Sequence, residues 1–217
     1  MERLKVAIII PAYNEEKTIQ SVIYPLKKLA RLIIINDCST DNTLKILKKN
    51  KNITIINNKN NLGYEASLNK GFEKAYKMGF NYFITYDADN QFYHKDVIKV
   101  INFFKQGFDL ILCNRNKFQR YSEYLFFIIS KLRYDIDDPL CGLKGYSKKT
   151  YKSLGYFDKF NSSGTQLMFH AIKNKFKTKK IKIKIKKRKD NSRFGSGIKA
   201  ELHIIRSMMF FLIYNIL

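Results

Sequence analysis

The chain has 217 residues, 45% hydrophobic and 14% aromatic, and its 41 Lys and Arg against 18 Asp and Glu give a formal charge of +23. One globular domain with a sizeable core fits these figures, which argue against a disordered tail or a disulfide-stapled miniprotein. Cys38, Cys113 and Cys141 lie far apart without a C-x-x-C pair, and His94, His170 and His203 miss metal-ligand spacing, so zinc is not indicated and any metal has oxygen ligands.

Met1-Glu2-Arg3-Leu4-Lys5 leads into a short apolar run ending at Pro11, too brief for a signal peptide or a spanning helix, which predicts a chain that begins in the cytosol. Apolar runs then alternate with amphipathic stretches, the pattern of a parallel α/β sheet. Val6 to Ile10, Leu32 to Ile35, Ile53 to Ile56 and Tyr82 to Tyr86 read as buried strands; Lys17 to Leu29, Thr43 to Lys49, Tyr64 to Met78 and Lys95 to Gln106 read as helices. Asp109 to Cys113 and Gly142 to Tyr146 suggest two further strands. Ile181, Ile183 and Ile185 alternate with lysines at a period of two, which puts the isoleucines on a core face and the lysines in water. Ser163 to Lys175 and Lys199 to Leu217 suit helices.

Ile204 to Leu217 is mostly apolar but contains Arg206 and Asn215, and it falls short of the roughly 20 residues that span a bilayer. Helical spacing puts Ile204, Met208, Phe211 and Leu212 near one face, and Phe210, Ile213 and Tyr214 widen it. That breadth suits a membrane surface, a second subunit or the chain's own sheet. The chain is accordingly read as a domain over residues 1–198 and an apolar C-terminal helix over 199–217.

In open α/β sheets, ligands gather at the carboxyl ends of strands. Pro11-Ala12-Tyr13-Asn14-Glu15 follows the first strand and Asn36-Asp37-Cys38-Ser39-Thr40-Asp41 the second, offering flat surfaces for a ring and carboxylates to accept hydrogen bonds. Tyr86-Asp87-Ala88-Asp89-Asn90-Gln91 follows the fourth. Two carboxylates one residue apart at the end of a buried strand repel each other, and a hard divalent cation, Mg²⁺ or Mn²⁺, removes that cost while bridging to substrate phosphates.

These segments, with Asn61-Leu62-Gly63, Ala66, Gly71 and Asp138-Pro139-x-x-Gly142, resemble in order the family 2 glycosyltransferases of GT-A fold, and within them the polyprenyl-phosphate (dolichol-phosphate) mannosyl- and glucosyltransferases. The resemblance runs from about Val6 to Arg193. It implies a single Rossmann-like α/β domain with a mostly parallel central sheet, flanked by helices. It further implies that Pro11, Tyr13, Glu15 and Asp37 hold the base and ribose of a GDP- or UDP-linked sugar, and that Asp87, Asp89 and Gln91 bind the metal at the diphosphate. Arg115 stands at the family's Gly-Ser-Arg position and would act with Asp87 and Asp89 in catalysis. Arg115, Asp138, Arg188, Ser192 and Arg193 would meet donor and acceptor phosphates.

Three positions depart from the pattern. Asn36 replaces the first of two expected acids, Cys113-Asn114 precedes Arg115, and Gln166 stands where many relatives that glycosylate hydroxyls have a carboxylate base. An amide cannot take a proton from an alcohol. A polyprenyl phosphate needs no such base, because its anionic oxygen attacks the anomeric carbon directly.

From Lys173 to Arg193 the chain has twelve Lys or Arg and one acid, Asp190. Such a run fits an anionic membrane surface around a lipid acceptor, and the predicted location is peripheral, at the cytosolic face of a membrane. A homodimer through the last helix is the other use of that segment. Two other functions fit parts of the sequence: transfer to a sugar hydroxyl, with Asp137 or Asp138 as base, and a basic nucleic-acid-binding domain. The latter lacks a recognised module, and Phe176 is the one aromatic within the basic run, so no nucleic-acid partner is expected.

Overall fold

A computed structural model describes residues 4–116, 120–187 and 198–214. In chain order the elements are β1 (Val6–Ala12), α1 (Ile19–Leu26), β2 (Arg31–Asn36), α2 (Thr43–Lys49), β3 (Ile53–Asn57), α3 (Tyr64–Lys77), β4 (Tyr82–Thr85) and α4 (His94–Lys105). There follow β5 (Leu110–Arg115), α5 (Tyr121–Tyr134), β6 (Lys144–Ser147), α6 (Lys148–Leu154), α7 (Gln166–Lys173), β7 (Thr178–Ile183) and α8 (Ile198–Tyr214). Each predicted strand and helix has a counterpart, Thr43–Lys49 with the same ends and the others with shifted ends. The first predicted helix is shortened at both ends: a turn in which Thr18 N–H donates to the Glu15 carbonyl precedes it, and it stops one residue after Pro25.

The seven strands form one sheet in the order β3-β2-β1-β4-β6-β5-β7. All pairings are parallel except those of β6, which runs antiparallel to both β4 and β5. The strand order reverses between β1 and β4, so their carboxyl ends open a crevice between the polar segments after residues 12 and 85.

Alternate side chains of β1 serve opposite faces. Ile8 and Ile10 join residues of α1, α2 and α4 in one core cluster, and Ala7 and Ile9 join α3, α5, α6, α7 and α8 in the other. The second layer is tight where α3 crosses the sheet. A Cβ on Gly71 would stand 2.3 Å from Ile9 Cγ2 and 2.8 Å from Ile35 Cδ1, which explains a glycine inside this helix.

Of the three isoleucines assigned to the core face near the C-terminus, Ile181 and Ile183 are buried and Ile185 packs against the first cluster, while Lys182 and Lys184 are exposed. Their strand is the sheet edge. A lysine-lined edge discourages pairing with another chain.

α8 packs against α5. Ile204 is 2% exposed, and Met208 and Leu212 pack on the same cluster, so this face is used by the protein's own core. Leu202, Ile205, Met209 and Ile213 lie on the exposed side.

Candidate active site

The loops after β1 and β2 are joined side by side. Asn14 N–H donates to Ser39 Oγ (3.0 Å), Glu15 N–H to Thr43 Oγ1 (2.8 Å) and Glu16 N–H to Asp41 Oδ2 (3.1 Å). Asn42 N–H returns a bond to Glu16 Oε2 (3.0 Å). Because β1 and β2 are parallel neighbours, residues 25 or more apart become one polar rim.

Asn36, which replaces an expected acid, donates through Nδ2 to Asn57 Oδ1 (2.6 Å) and ties the ends of β2 and β3. Asp37 is buried and heavily engaged. Its Oδ1 accepts from Asn58 Nδ2 (2.8 Å) and Leu62 N–H (2.9 Å), and its Oδ2 accepts from Gly63 N–H (2.8 Å). Those bonds fix the turn at Gly63, whose φ of 91° suits a residue without Cβ. The same turn starts α3 and aims Tyr64 at the centre of the site.

A cavity of about 550 Å³ opens at the β1/β4 crevice. Pro11, Tyr13, Glu15, Asp37, Asp87, Asp89, Gln91 and Arg115 all line it, so eight of the site residues expected from the sequence meet in one place. Tyr64 Oη donates to Asp87 Oδ1 (3.1 Å), and Asp89 Oδ1 accepts from Gln91 N–H (3.1 Å). Desolvation and then the neighbouring charge of Asp89 raise the Asp87 pKa to about 7; Tyr64, Arg115 and Lys144 oppose the rise without cancelling it. The carboxylate also presses on Gly142, where a Cβ would stand 2.0 Å from Asp87 Oδ2.

Among the described residues no group of three or more His, Cys, Asp or Glu side chains is arranged to hold a metal. Asp87 and Asp89 nevertheless suit a hard divalent cation that takes its remaining ligands from substrate phosphates and water. They offer oxygen donors only, and they carry a mutual repulsion that such an ion relieves. The loop holding them is fastened from the far end of the sheet: Lys186 N–H donates to the Gln91 carbonyl (2.8 Å) and Lys186 Nζ to Asn90 Oδ1 (2.8 Å).

Arg115 crosses the cavity wall in a fixed pose. Its Nε donates to Asp138 Oδ2 (2.7 Å) and its Nη2 to Asp138 Oδ1 (2.9 Å) and Glu123 Oε2 (3.2 Å). Burial works against the guanidinium charge, yet the hydrogen bonds and charge of Asp138 outweigh it and push the pKa above its ordinary value. Asp138 also accepts the Arg115 backbone N–H (3.0 Å) and lies behind the arginine, away from the cavity lining. Asp137 accepts from Asn114 Nδ2 and Lys131 Nζ. Gln166 is turned away as well: its Oε1 accepts from Lys159 N–H (2.8 Å) and its Nε2 donates to Tyr156 Oη (3.1 Å). Arg188, Ser192 and Arg193 lie outside the described residues.

The cavity also contains side chains that the sequence reading passed over: Tyr64, Glu65, Arg120, Glu123, Ser163 and His203. Tyr64 and Glu65 directly follow the Asn61-Leu62-Gly63 motif, and that adjacency was the available signal. Glu123 and His203 belong to α5 and α8, and no local pattern announces that these helices meet.

The fold is similar to that of glucosyl-3-phosphoglycerate synthase from M. tuberculosis, with a TM-score of 0.71 at 16% identity over 98% of this chain and 80% of that one. In sequence the chain is 35% identical over 112 residues to a UDP-N-acetylglucosamine–dolichyl-phosphate N-acetylglucosaminyltransferase of Methanococcus voltae, covering 43% of this chain and 45% of the relative. It is 30% identical over 128 residues to an undecaprenyl-phosphate 4-deoxy-4-formamido-L-arabinose transferase of Proteus mirabilis, covering 53% of this chain and 38% of the relative. The chain thus spans less than half the length of these two curated relatives. Residues 7–172, from the first buried strand to the helix that carries Gln166, match glycosyl transferase family 2, and the chain belongs to that family.

Proposed function

We propose that the protein transfers a sugar, with inversion, from a nucleotide-diphosphate donor to a polyprenyl phosphate. The observation that carries this reading is the meeting in one cavity of the Asp87/Asp89 pair and the fixed cation Arg115, beside the rim of Pro11, Tyr13 and Glu15. Two relatives named for dolichyl- and undecaprenyl-phosphate substrates support the acceptor class. The engagement of Asp138 with Arg115, and of Asp137 with Asn114 and Lys131, weakens the hydroxyl-acceptor alternative, because both carboxylates named as its base are already tied to neighbouring donors.

In this reading Pro11, Tyr13 and Glu15 receive the nucleoside, and Asp37 shapes that end by fixing the turn at residues 61–63. Asp87 and Asp89, with Gln91 beside them, would hold Mg²⁺ or Mn²⁺. When bound, such an ion supplies charge neutralisation for the departing diphosphate. Tyr64 keeps Asp87 oriented, and Arg115, locked by Asp138, presents fixed positive charge without reorganisation. An acceptor phosphate oxygen forms the new bond to the anomeric carbon while the bond to the diphosphate breaks, its electron pair leaving with the β-phosphate oxygen. Arg188, Ser192 and Arg193 are proposed as further phosphate contacts.

No helix among the described residues is long and apolar enough to cross a membrane. The acceptor is a membrane lipid in this reading, so the protein works peripherally at a cytosolic membrane face, attracted by its basic surface. The test is Asp89→Ala with a nucleotide-sugar and a polyprenyl phosphate. Transfer should vanish while the circular dichroism and melting temperature stay near the parent's. Full activity in that variant overturns the metal assignment.

A further inference from the structure

Glu65 is a carboxylate without an evident task in the fold. It stands in the first turn of α3, is 6% exposed and lines the cavity, yet its Oε1 accepts no hydrogen bond among the described residues. His203 Nε2 of α8 faces that oxygen at 3.8 Å, beyond hydrogen-bond reach. A carboxylate kept only to tie two helices together would be expected to complete its hydrogen bonds within the protein, because a buried acceptor left without a donor is costly.

Its neighbours show which part of a donor would reach it. Tyr64, one residue earlier, bonds Asp87, so the wall formed by residues 64 and 65 leads from the acidic pair toward α8. There α8 is held in place: Glu201 Oε2 accepts from Ser122 N–H (3.0 Å), Ser207 Oγ and Ser163 Oγ lie 2.8 Å apart, and Ile204 is buried. With the diphosphate at Asp87 and Asp89, the group attached to its β-phosphate, the sugar, enters the space beside Glu65. A sugar presents hydroxyl donors, and a dry carboxylate with an unused oxygen is suited to accept them.

We infer that Glu65, backed by His203, is a specificity-determining carboxylate that accepts hydrogen bonds from hydroxyl groups of the transferred sugar. The inference rests on the nucleotide-sugar reading of the cavity. It gives α8 a part in the site, since that helix supplies the second member of the pair.

The test compares nucleoside diphosphates with the corresponding nucleotide-sugars, uridine- and guanosine-linked, by calorimetry in the presence of Mn²⁺. Glu65→Gln should weaken binding of the preferred nucleotide-sugar about tenfold or more, the loss expected for one hydrogen bond to a charged group. It should leave the nucleoside diphosphate within about twofold. His203→Asn should move the same way by a smaller factor. Donors lacking one sugar hydroxyl at a time, bound to the unaltered protein, should include one about tenfold weaker that loses nothing more in Glu65→Gln. This arm stands even where a variant folds poorly.

Parallel loss of nucleoside diphosphate binding would make Glu65 a structural residue and overturn the inference, as would unchanged binding of both ligands or equal affinity for every deoxy donor. A fall in kcat with donor affinity intact would overturn it too and would point instead to a general base for a hydroxyl acceptor. An unaltered protein that binds none of these nucleotides overturns the nucleotide-sugar reading itself, a result distinct from binding that is indifferent to position 65.

Discussion

Two glycines separate the chemistry of the site from the stability of its scaffold. At Gly142 an added Cβ would stand 2.0 Å from Asp87 Oδ2, so Gly142→Ala forces the carboxylate away from its bond with Tyr64. Nucleoside diphosphate binding that depends on Mn²⁺ is expected to be lost with a modest change in melting temperature, readable by calorimetry and thermal unfolding. At Gly71 the obstacles are Ile9 and Ile35 in the sheet, so Gly71→Ala should cost about 1 to 3 kcal/mol of stability, as overpacking does, without altering ligand affinity in the protein that remains folded. An outcome in which both variants lose affinity equally would mean that the Asp87 cradle has no separate role. The residues that line the strand ends were legible in the sequence because their position follows from the strand itself. Asp37 is a partial exception. It was assigned to the nucleoside, and it does line the cavity, but its oxygens already accept from Asn58, Leu62 and Gly63.

At the scale of elements, the junction of α2 with the first loop is set by Asp41. Its Oδ1 accepts from Thr43 N–H (2.9 Å) and its Oδ2 from Glu16 N–H (3.1 Å). Burial raises its pKa, but the bonds from the Thr43 side chain and backbone and from Glu16 together outweigh that and lower it below the usual value. A depressed carboxylate contributes stability above its unfolded pKa and loses it as pH falls through the folded one. Asp41→Asn should therefore cost about 1 kcal/mol in urea unfolding at neutral pH, with the gap to the parent closing as both are acidified below about pH 4. A gap that persists at low pH would show that the charge is not what matters. β1 to β4 and the helices between them were readable because apolar runs alternate with one-faced helices, whereas α5 and α6 escaped. The Tyr121–Tyr134 stretch is apolar on several sides: Phe126 is buried in the core, Leu125, Phe127, Ile128 and Ile129 are half-buried, and Tyr121, Tyr124 and Leu132 are exposed, so no single stripe marks it as a helix. The end of α8 raised the opposite difficulty. Its apolar surface was visible, but the partition of that surface between the core and solvent depends on where α5 lies.

For the whole molecule, the helices that close the cavity also carry exposed apolar side chains. α5 and α8 supply Glu123, His203 and Ile204 to the cavity, with Arg120 just before α5, and their outer surfaces carry Tyr121, Tyr124 and Leu132 on one helix and Leu202, Ile205, Met209 and Ile213 on the other. With the proposed polyprenyl phosphate as acceptor, an apolar surface beside the cavity would let the lipid stay in its bilayer while its head group enters. The basic stretch that begins at Lys173 adds long-range attraction, about 1 kcal/mol for each cation near an anionic surface. Sedimentation with vesicles rich in phosphatidylglycerol should therefore capture the protein, and added salt should release part of it. Neutral vesicles should capture less. Changing Leu202, Ile205, Met209 and Ile213 together to Ser should weaken the salt-resistant part while leaving nucleoside diphosphate binding intact, because these side chains point away from the core. The rival use of the same surface is a second copy of the chain. In that case the parent sediments as a dimer, the fourfold variant as a monomer, and vesicle capture is the same for both, since the exchanged residues would never have met the lipid.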